Sequence, residues 1–257
     1  TDGTVLGTSL VRNIAPDQAY IYGSTIGGNA NPQELTPFGG SLYFTANDVT
    51  GQAESREIWR SDGTTNGTVK VTGFGAGALV KDLTVVGSKL FFTASTDTLG
   101  RELYKLDLSN PGAGAVLVRD IRVGTGLGSD PAELTAVGNL LYFTANDGAG
   151  PVLWKTDDGQ TANTVKVEDE PGIYVRNPAN LTAIASGLIF SAEAGTGSGD
   201  SEPWVSDGTQ AGTLNLAQIF QGPQSSDPKN FYEAGGKVYF TARTHLLSEP
   251  DIGYELW

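Results

Sequence analysis

The stretch Ser41-Leu-Tyr-Phe-Thr-Ala46 is followed by four related copies along the chain. In the five copies a Phe followed by Thr-Ala or Ser-Ala stands at positions 44, 92, 143, 190 and 240. Side chains in each copy alternate between two largely apolar sets, as a strand buried on both faces requires. The spacing of about fifty residues is typical of β-propeller blades, each of which contains four strands. The repeat therefore predicts an all-β chain of stacked blades.

Shorter repeats flank each copy and predict the other strands of the blade. A Leu-Thr or similar segment precedes it across a Gly-containing turn and predicts the innermost strand, at 32–36, 80–84, 131–135, 178–182 and 228–232. A third strand is predicted at 57–59, 102–104, 152–154, 202–204 and 255–257. A fourth is predicted at 68–71, 115–121, 164–167 and 213–216.

These patterns predict a single domain over 1–257, a five-bladed β-propeller of four-stranded antiparallel blades. The blades are expected at 32–72, 78–121, 131–169, 178–219 and 228–257. The last blade lacks a fourth strand, whereas the N-terminal segment 1–14 contains a matching one at 8–14. We expect this segment to complete the last blade by pairing with the strand that ends at Trp257. Such closure would remove the exposed sheet edges.

Two segments carry a family resemblance, Glu57-Ile-Trp-Arg-Ser-Asp-Gly-Thr64 and Glu202-Pro-Trp-Val-Ser-Asp-Gly-Thr209. Each is followed by a second Gly-Thr, and related segments recur along the whole chain. The chain resembles the bacterial ELWxxDGT repeat family, which implies a large exported or surface protein without an assigned activity. Blade three departs from the pattern with Val152 in place of Glu, and blade four has Pro203 in place of Leu.

Net charge and composition limit which partners and which cellular location are expected for this chain. Sixteen Lys and Arg against twenty-nine Asp and Glu give a net charge of -13, which disfavours nucleic acid and anionic bilayers. The apolar stretches are strand-sized, so neither membrane insertion nor a secretory segment is expected. The chain has no Cys and no Met, and we expect Thr1 to be a processed or cut end. With the resemblance, these features predict an extracellular or cell-surface location.

Ligand binding is expected on the face of the propeller that carries the longer loops. These loops are predicted at 15–31, 47–55, 122–130, 193–201, 220–227 and 243–252. Variable loops on a regular scaffold are common binding sites. Tyr20 and Tyr22 in the longest loop are the candidate ligand-binding residues, because their rings can stack on a sugar. The alternative is that both tyrosines pack between blades.

Asp48 and Asp147 are the candidate metal ligands. Each follows an Asn at the end of a Phe-Thr-Ala strand, and oxygen-rich loops of this kind suit calcium, the one cofactor considered. Asx turns are the alternative, since neither loop matches the Asp-x-Asp-x-Asp-Gly pattern. His245 is the only histidine, so no transition-metal cluster built on imidazole is expected.

The repeated acidic residues fit structural roles better than catalytic ones. Asp of Asp-Gly-Thr is expected to bond its own turn, and Glu before the aromatic residue is expected to bond nearby backbone or, alternatively, a cation. The sequence thus predicts a non-catalytic binding or structural module that contacts a glycan or a surface protein, or associates with itself in a larger assembly. The alternative is an extracellular propeller hydrolase acting on polysaccharide, which would need two convergent carboxylates in a central pocket.

Overall fold

The computed structural model describes residues 3–15, 18–21, 24–26, 28–47, 55–170, 173–193, 199–220, 224–244 and 253–257. Twenty-three strands and two 3₁₀ helices, Pro111–Ala113 and Thr161–Asn163, lie in these ranges. The all-β prediction is therefore confirmed. Neither of the described helices has the length or apolar surface that crossing a bilayer requires.

Five antiparallel sheet units follow one another along the chain. Unit 1 contains β3 (Gln33–Phe38), β4 (Ser41–Asn47), β5 (Arg56–Ser61) and β6 (Val69–Lys70). Unit 2 contains β7 (Lys81–Val86), β8 (Lys89–Thr96), β9 (Gly100–Asp107) and β10 (Val116–Arg119). Unit 3 contains β11 (Ala132–Val137), β12 (Leu140–Asn146), β13 (Pro151–Thr156) and β14 (Val165–Lys166).

The remaining units continue the same strand order. Unit 4 contains β17 (Arg176–Ile184), β18 (Gly187–Glu193), β19 (Ser201–Ser206) and β20 (Leu214–Asn215). Unit 5 has only three strands, β21 (Lys229–Ala234), β22 (Lys237–Arg243) and β23 (Tyr254–Leu256). A single pair, Val152 with Arg176, joins units 3 and 4 into one eight-stranded sheet.

Two additional hairpins lie between the units. The first consists of β1 (Gln18–Ile21) and β2 (Ser24–Ile26), and the second of β15 (Glu168–Glu170) and β16 (Ile173–Tyr174). The first hairpin lies within the segment 15–31, which the sequence predicts to be an irregular loop. That prediction is wrong for the two paired strands.

In units 2 and 3 the second strand supplies side chains to both neighbouring units. In unit 3, Phe143 packs with Phe91 of the preceding unit, whereas Tyr142 packs with Leu188 and Phe190 of the following one. All five side chains are fully buried. The period-two alternation therefore places the sheet of unit 3 between two others, as the apolar repeat predicts. Burial of each large side chain contributes about 1.5–3 kcal/mol to stability.

The innermost strand of every unit contains a bulge in which one non-glycine residue has a positive φ. These residues are Glu34, Asp82, Glu133, Asn180 and Asn230, with φ between 53° and 64°. The strand register shifts at each of these positions. Left-handed backbone is unfavourable for residues with a Cβ, although Asn and Asp tolerate it best. Five repetitions of this conformation indicate that contacts around the innermost strands maintain it.

The N-terminal segment lies against unit 1. Arg12 donates to the carbonyl of Thr68 at 2.6 Å, and its guanidinium lies 5.8 Å from the centre of the Trp59 ring. Residues 8–13 form no strand, and β23 is an edge strand of its sheet. The predicted pairing of 8–14 with the strand ending at Trp257 is therefore not confirmed. The segment is held against unit 1 by side-chain contacts and not by backbone pairing with a neighbouring strand.

The Asp-Gly-Thr segments form turns stabilised by their own side chains. Asp62 Oδ1 accepts bonds from the Thr64 N–H at 2.9 Å and the Thr64 hydroxyl at 2.7 Å. Asp207 accepts the same two bonds from Thr209. These donors, the threonine hydroxyl first, lower the pKa of both aspartates. The predicted turn role of Asp-Gly-Thr is confirmed at both positions.

This turn leaves no space for a side chain at its second glycine. The Cβ of a Gly212→Ala variant would stand 2.0 Å from Asp207 Oδ1, so the carboxylate would have to give up its position. We expect the free energy of unfolding to fall by about 1–3 kcal/mol, the usual cost of overpacking. Urea unfolding measures the change.

Gly73→Ala is the matched control, because Gly73 is exposed and no atom lies within 4 Å of its Cβ position. It should change the unfolding free energy by about 0.5 kcal/mol or less. Equal effects at positions 73 and 212 would contradict the assigned turn geometry.

Candidate functional site

The innermost strands of successive units pack side by side and line an open polar cavity of about 530 Å³. Three carboxylate residues, Glu34, Asp82 and Glu133, line it beside threonine hydroxyls and leucine side chains. All three belong to the left-handed positions of the bulges. The bulge therefore places acidic side chains at the cavity, which the sequence analysis did not predict.

Each of these carboxylates is engaged by the scaffold. Glu34 Oε2 accepts the Leu83 N–H at 2.9 Å, and Glu133 Oε2 accepts the Leu181 N–H at 3.1 Å. Both bonds cross from one unit to the next. Asp82 instead accepts the hydroxyl of Thr93 in its own unit at 2.8 Å. The carboxylates at the cavity thus bond protein donors, two of them in a neighbouring unit.

A second set of acidic side chains is buried within the units, at the Glu that precedes the aromatic residue. Glu102 accepts bonds from the Ser129 N–H at 2.8 Å and the Ser129 hydroxyl at 2.6 Å. Glu202 accepts the N–H groups of Ile219 and Phe220, at 3.0 and 3.2 Å, and the hydroxyl of Ser226 at 2.7 Å. Burial raises the pKa of both glutamates.

Glu57 repeats this arrangement in unit 1. Its carboxylate accepts the Thr72 hydroxyl at 2.6 Å and the N–H groups of Phe74 and Gly75 at 2.7 and 3.0 Å. The three glutamates therefore anchor the connection that leads from the fourth strand to the next unit. The predicted backbone-bonding role is confirmed at Glu57, Glu102 and Glu202.

Asp147 is the one candidate metal ligand within the described residues. Its Oδ2 lies 2.5 Å from Lys166 Nζ, and this contact lowers its pKa. The neighbouring Asn146 accepts the N–H groups of Gly148 and Gly150 through Oδ1, as an Asx turn does. In the described ranges no three His, Cys, Asp or Glu residues are grouped to hold a metal. Calcium stays a prediction, and at Asp147 it would have to displace an ammonium group.

Tyr20 is the one other candidate residue whose backbone the structure describes. Tyr20 lies in β1, opposite Thr25 of β2, so its backbone belongs to the hairpin of the predicted loop face. Tyr22, Asp48 and His245 lie outside the described residues. The pairing of the two tyrosines and the pairing of the two aspartates therefore stay predictions.

The acidic residues of the cavity have a recognisable sequence signal. An acidic or amide residue directly precedes the Leu-Thr pair of the innermost strand in the first four units and recurs as Asn230 in the fifth. Asp or Asn, which tolerate positive φ, stands at three of the five positions, Asp82, Asn180 and Asn230. Read in that way, the repeat would have predicted both the bulge and the polar lining.

Comparison with known proteins bears on the fold alone. No protein-family model matches the sequence, and no curated protein matches it. A prolyl endopeptidase analysed for inter-domain dynamics in catalysis and specificity aligns with TM-score 0.53 and 13% identity, over 91% of this chain and 36% of that one. This likeness supports a β-propeller-like architecture and carries no information on activity.

TolB proteins are also among the similar structures. The protein from Acinetobacter baumannii aligns with TM-score 0.45 and 14% identity, over 90% of this chain and 51% of that one. The putative TolB from Agrobacterium tumefaciens aligns with TM-score 0.42 and 12% identity, over 71% of this chain and 63% of that one. This chain thus matches less than two thirds of the length of either TolB structure.

Proposed function

We propose that this chain is a non-catalytic extracellular or cell-surface module that binds a glycan or a surface protein. The observation that carries the proposal is the use of acidic side chains by the scaffold. Carboxylates at the central cavity and inside the units accept bonds from neighbouring N–H and hydroxyl groups. Carboxylates bonded in this way serve to position strands, whereas a general acid or base has to exchange a proton with the substrate.

The resemblance to the ELWxxDGT repeat family supports the proposed location. In this proposal the five units are blades of one propeller, and residues 1–14 act as the outer strand of the blade that precedes unit 1. Arg12 and its contacts with Thr68 and Trp59 support that placement. The loop face, which includes the hairpin of β1 and β2, is the proposed binding surface.

The chemistry of the surface favours a neutral ligand. The net charge of -13 disfavours anionic polymers and leaves neutral sugars as the favoured class of glycan. Aromatic rings supply the apolar face on which a pyranose stacks. Tyr20 and Tyr22 are the proposed stacking residues.

Replacing both tyrosines tests this assignment. The Tyr20→Ala/Tyr22→Ala variant should lose glycan binding by at least about tenfold, since removal of one buried ring contact costs about 1.4 kcal/mol or more. Its melting temperature should remain close to that of the parent chain. Binding is measured by calorimetry with neutral cell-surface polysaccharides.

The Tyr20→Phe/Tyr22→Phe variant is the control, because it keeps both rings and removes only the hydroxyl groups. It should bind within about threefold of the parent, in line with the modest net value of an exposed hydrogen bond. A fall in melting temperature of the alanine variant with binding unchanged would show that the tyrosines pack between blades and would remove them from the site.

A further inference from the structure

A polar cavity of about 670 Å³, which we call the unit 2–3 cavity, lies between units 2 and 3. Ala113, Gly114 and strand β10 form one of its walls, and residues 158–161 of unit 3 form the other. These walls belong to the turns that join the third strand of a unit to the fourth. The unit 2–3 cavity therefore lies at the opposite end of the units from the loop face.

Two lysines of unit 2 reach this cavity from neighbouring strands. In the pairing of β8 with β9, Lys89 lies opposite Asp107 and Lys105 lies opposite Phe91. All four side chains share one face of the sheet, and Phe91 packs into the core that units 2 and 3 share. Lys89 Nζ lies 2.5 Å from Asp107 Oδ2, and Lys105 Nζ donates to the Asp158 carbonyl at 2.8 Å. Both ammonium groups thus have defined positions at the cavity.

The two aspartates of the cavity are held by the scaffold. Asp107 Oδ1 accepts the Ser109 N–H at 3.0 Å and also the Ser109 hydroxyl. Lys89, and after it Ser109, lowers the pKa of Asp107, so the ion pair persists at neutral pH. Asp158 Oδ1 accepts the Gln160 N–H at 2.8 Å. The carboxylates are therefore already engaged as acceptors.

The ammonium groups, in contrast, retain donors that the protein does not use. An ammonium group carries three N–H donors, and within the described ranges Lys89 and Lys105 each make one hydrogen bond. The charges of the two lysines balance those of Asp107 and Asp158. A cavity with spare donors and no net charge favours the oxygen atoms of a neutral ligand over an anion.

The corresponding place on unit 3 lacks these features. Its cavity has a volume of about 290 Å³, and Leu140 stands where unit 2 has Lys89. Lys155 makes the bond to the next unit that Lys105 makes in unit 2. Unit 2 also has the 3₁₀ helix Pro111–Ala113 where units 1 and 4 have Asp-Gly-Thr turns. The larger cavity and its second lysine are therefore properties of unit 2 and not of the repeat.

We propose that the unit 2–3 cavity binds a neutral hydroxylated ligand, a sugar of one or two residues. Its volume lies within the range of about 300–1,000 Å³ that is usual for small-molecule sites. Sugar oxygens accept the spare N–H donors of Lys89 and Lys105, and Val116 and Leu117 of β10 supply an apolar wall for the ring. This site is separate from Tyr20 and Tyr22 and does not rest on the proposed function.

Calorimetric titration with a panel of neutral disaccharides tests the proposal. The Tyr20→Ala/Tyr22→Ala variant is titrated, so that the site proposed at the loop face does not contribute. At least one disaccharide should bind with a dissociation constant of about 1 mM or lower, and Lys89→Leu in the same background should weaken its binding by at least about tenfold. Lys89→Leu installs the residue that unit 3 has at this position.

Lys237→Leu is the matched control, because Lys237 occupies the same position of the repeat in unit 5 and is exposed. It should leave disaccharide binding unchanged. Exposed ion pairs contribute little to stability, so Lys89→Leu should fold normally, which circular dichroism checks. Equal losses of binding in the two lysine variants, or no binding of any disaccharide, would overturn the proposal.

The charge of the ligand is tested with the same variant. Binding of the neutral disaccharide should change by less than about twofold between low and high salt, because screening acts on charged ligands. Glucuronate should bind more weakly than the neutral sugar. Tighter binding of glucuronate that salt abolishes would overturn the proposal, since the cavity would then be a site for anions.

Discussion

Glu202→Ala is expected to lower the free energy of unfolding by about 3 kcal/mol or more. The substitution removes the acceptor of the Ile219 and Phe220 N–H groups and of the Ser226 hydroxyl, all within a buried part of unit 4. A buried donor that loses its acceptor costs about 1–3 kcal/mol. Three donors are affected, although local relaxation and water entry reduce the sum. Denaturant unfolding followed by tryptophan fluorescence measures the change.

Glu255→Ala is the matched control for this prediction. Glu255 occupies the same position of the repeat in unit 5, but it is exposed in β23. Its replacement should alter the free energy of unfolding by about 0.5 kcal/mol or less. Similar losses of unfolding free energy at both positions would show that the three buried donors at Glu202 contribute little to stability.

Deletion of residues 1–14 is expected to lower the free energy of unfolding by about 2–4 kcal/mol. Ile14 packs against Phe44 and Trp59 in the core of unit 1, and such burial is worth about 1.5–3 kcal/mol. The bond from Arg12 to the Thr68 carbonyl adds about 1 kcal/mol. Thermal and denaturant unfolding of the truncated chain measure the loss.

Arg12→Lys separates the two contributions, because lysine keeps the charge but lacks the planar group that lies over Trp59. It should lose about 1 kcal/mol, which is a fraction of the effect of deletion. A truncated chain with an unchanged unfolding midpoint would mean that the segment rests on unit 1 without stabilising it.

The second strands were predictable because their signal is local. Alternation of apolar side chains over six residues specifies a strand with two buried faces, and the structure has that strand at Ser41–Asn47 and at four equivalent places. The third and fourth strands also lie where the repeats predict them, although the fourth strands of units 1, 3 and 4 contain only two residues.

Features that depend on contacts between units were harder to predict. The left-handed backbone of Glu133 accompanies its bond to Leu181 of the next unit, a contact between residues far apart in sequence. The bonding role of the buried glutamates can be read in part from the sequence. Glu102 and Glu202 each have a Ser-Asp-Pro segment ahead of the next unit, whereas Val152 is followed by Arg176-Asn-Pro. Glu57 has no such segment and bonds the Thr72 hydroxyl in place of a serine, so the signal covers two of the three glutamates.

The position of the N-terminal segment was predictable from the sequence only in part. Similarity between 8–14 and the outer strand of unit 2 predicted a role as an outer strand, and Arg12 has the contacts of that role on the unit 1 side. The sequence pointed to unit 5 as the partner, because it is the one unit without a fourth strand, but the described residues show no pairing with β23. Pairing between chain ends depends on the relative positions of all five units.

The most direct test of a binding module is to follow bound and cleaved polysaccharide in one experiment. The purified chain is incubated with neutral extracellular polysaccharides, and both retained polymer and newly formed reducing ends are measured over time. The proposal predicts retention of intact polymer with no increase in reducing ends at any protein concentration. Reducing ends that accumulate in proportion to the protein, and that are lost in a Glu133→Gln variant with normal stability, would contradict it and make the central cavity the active site of a hydrolase.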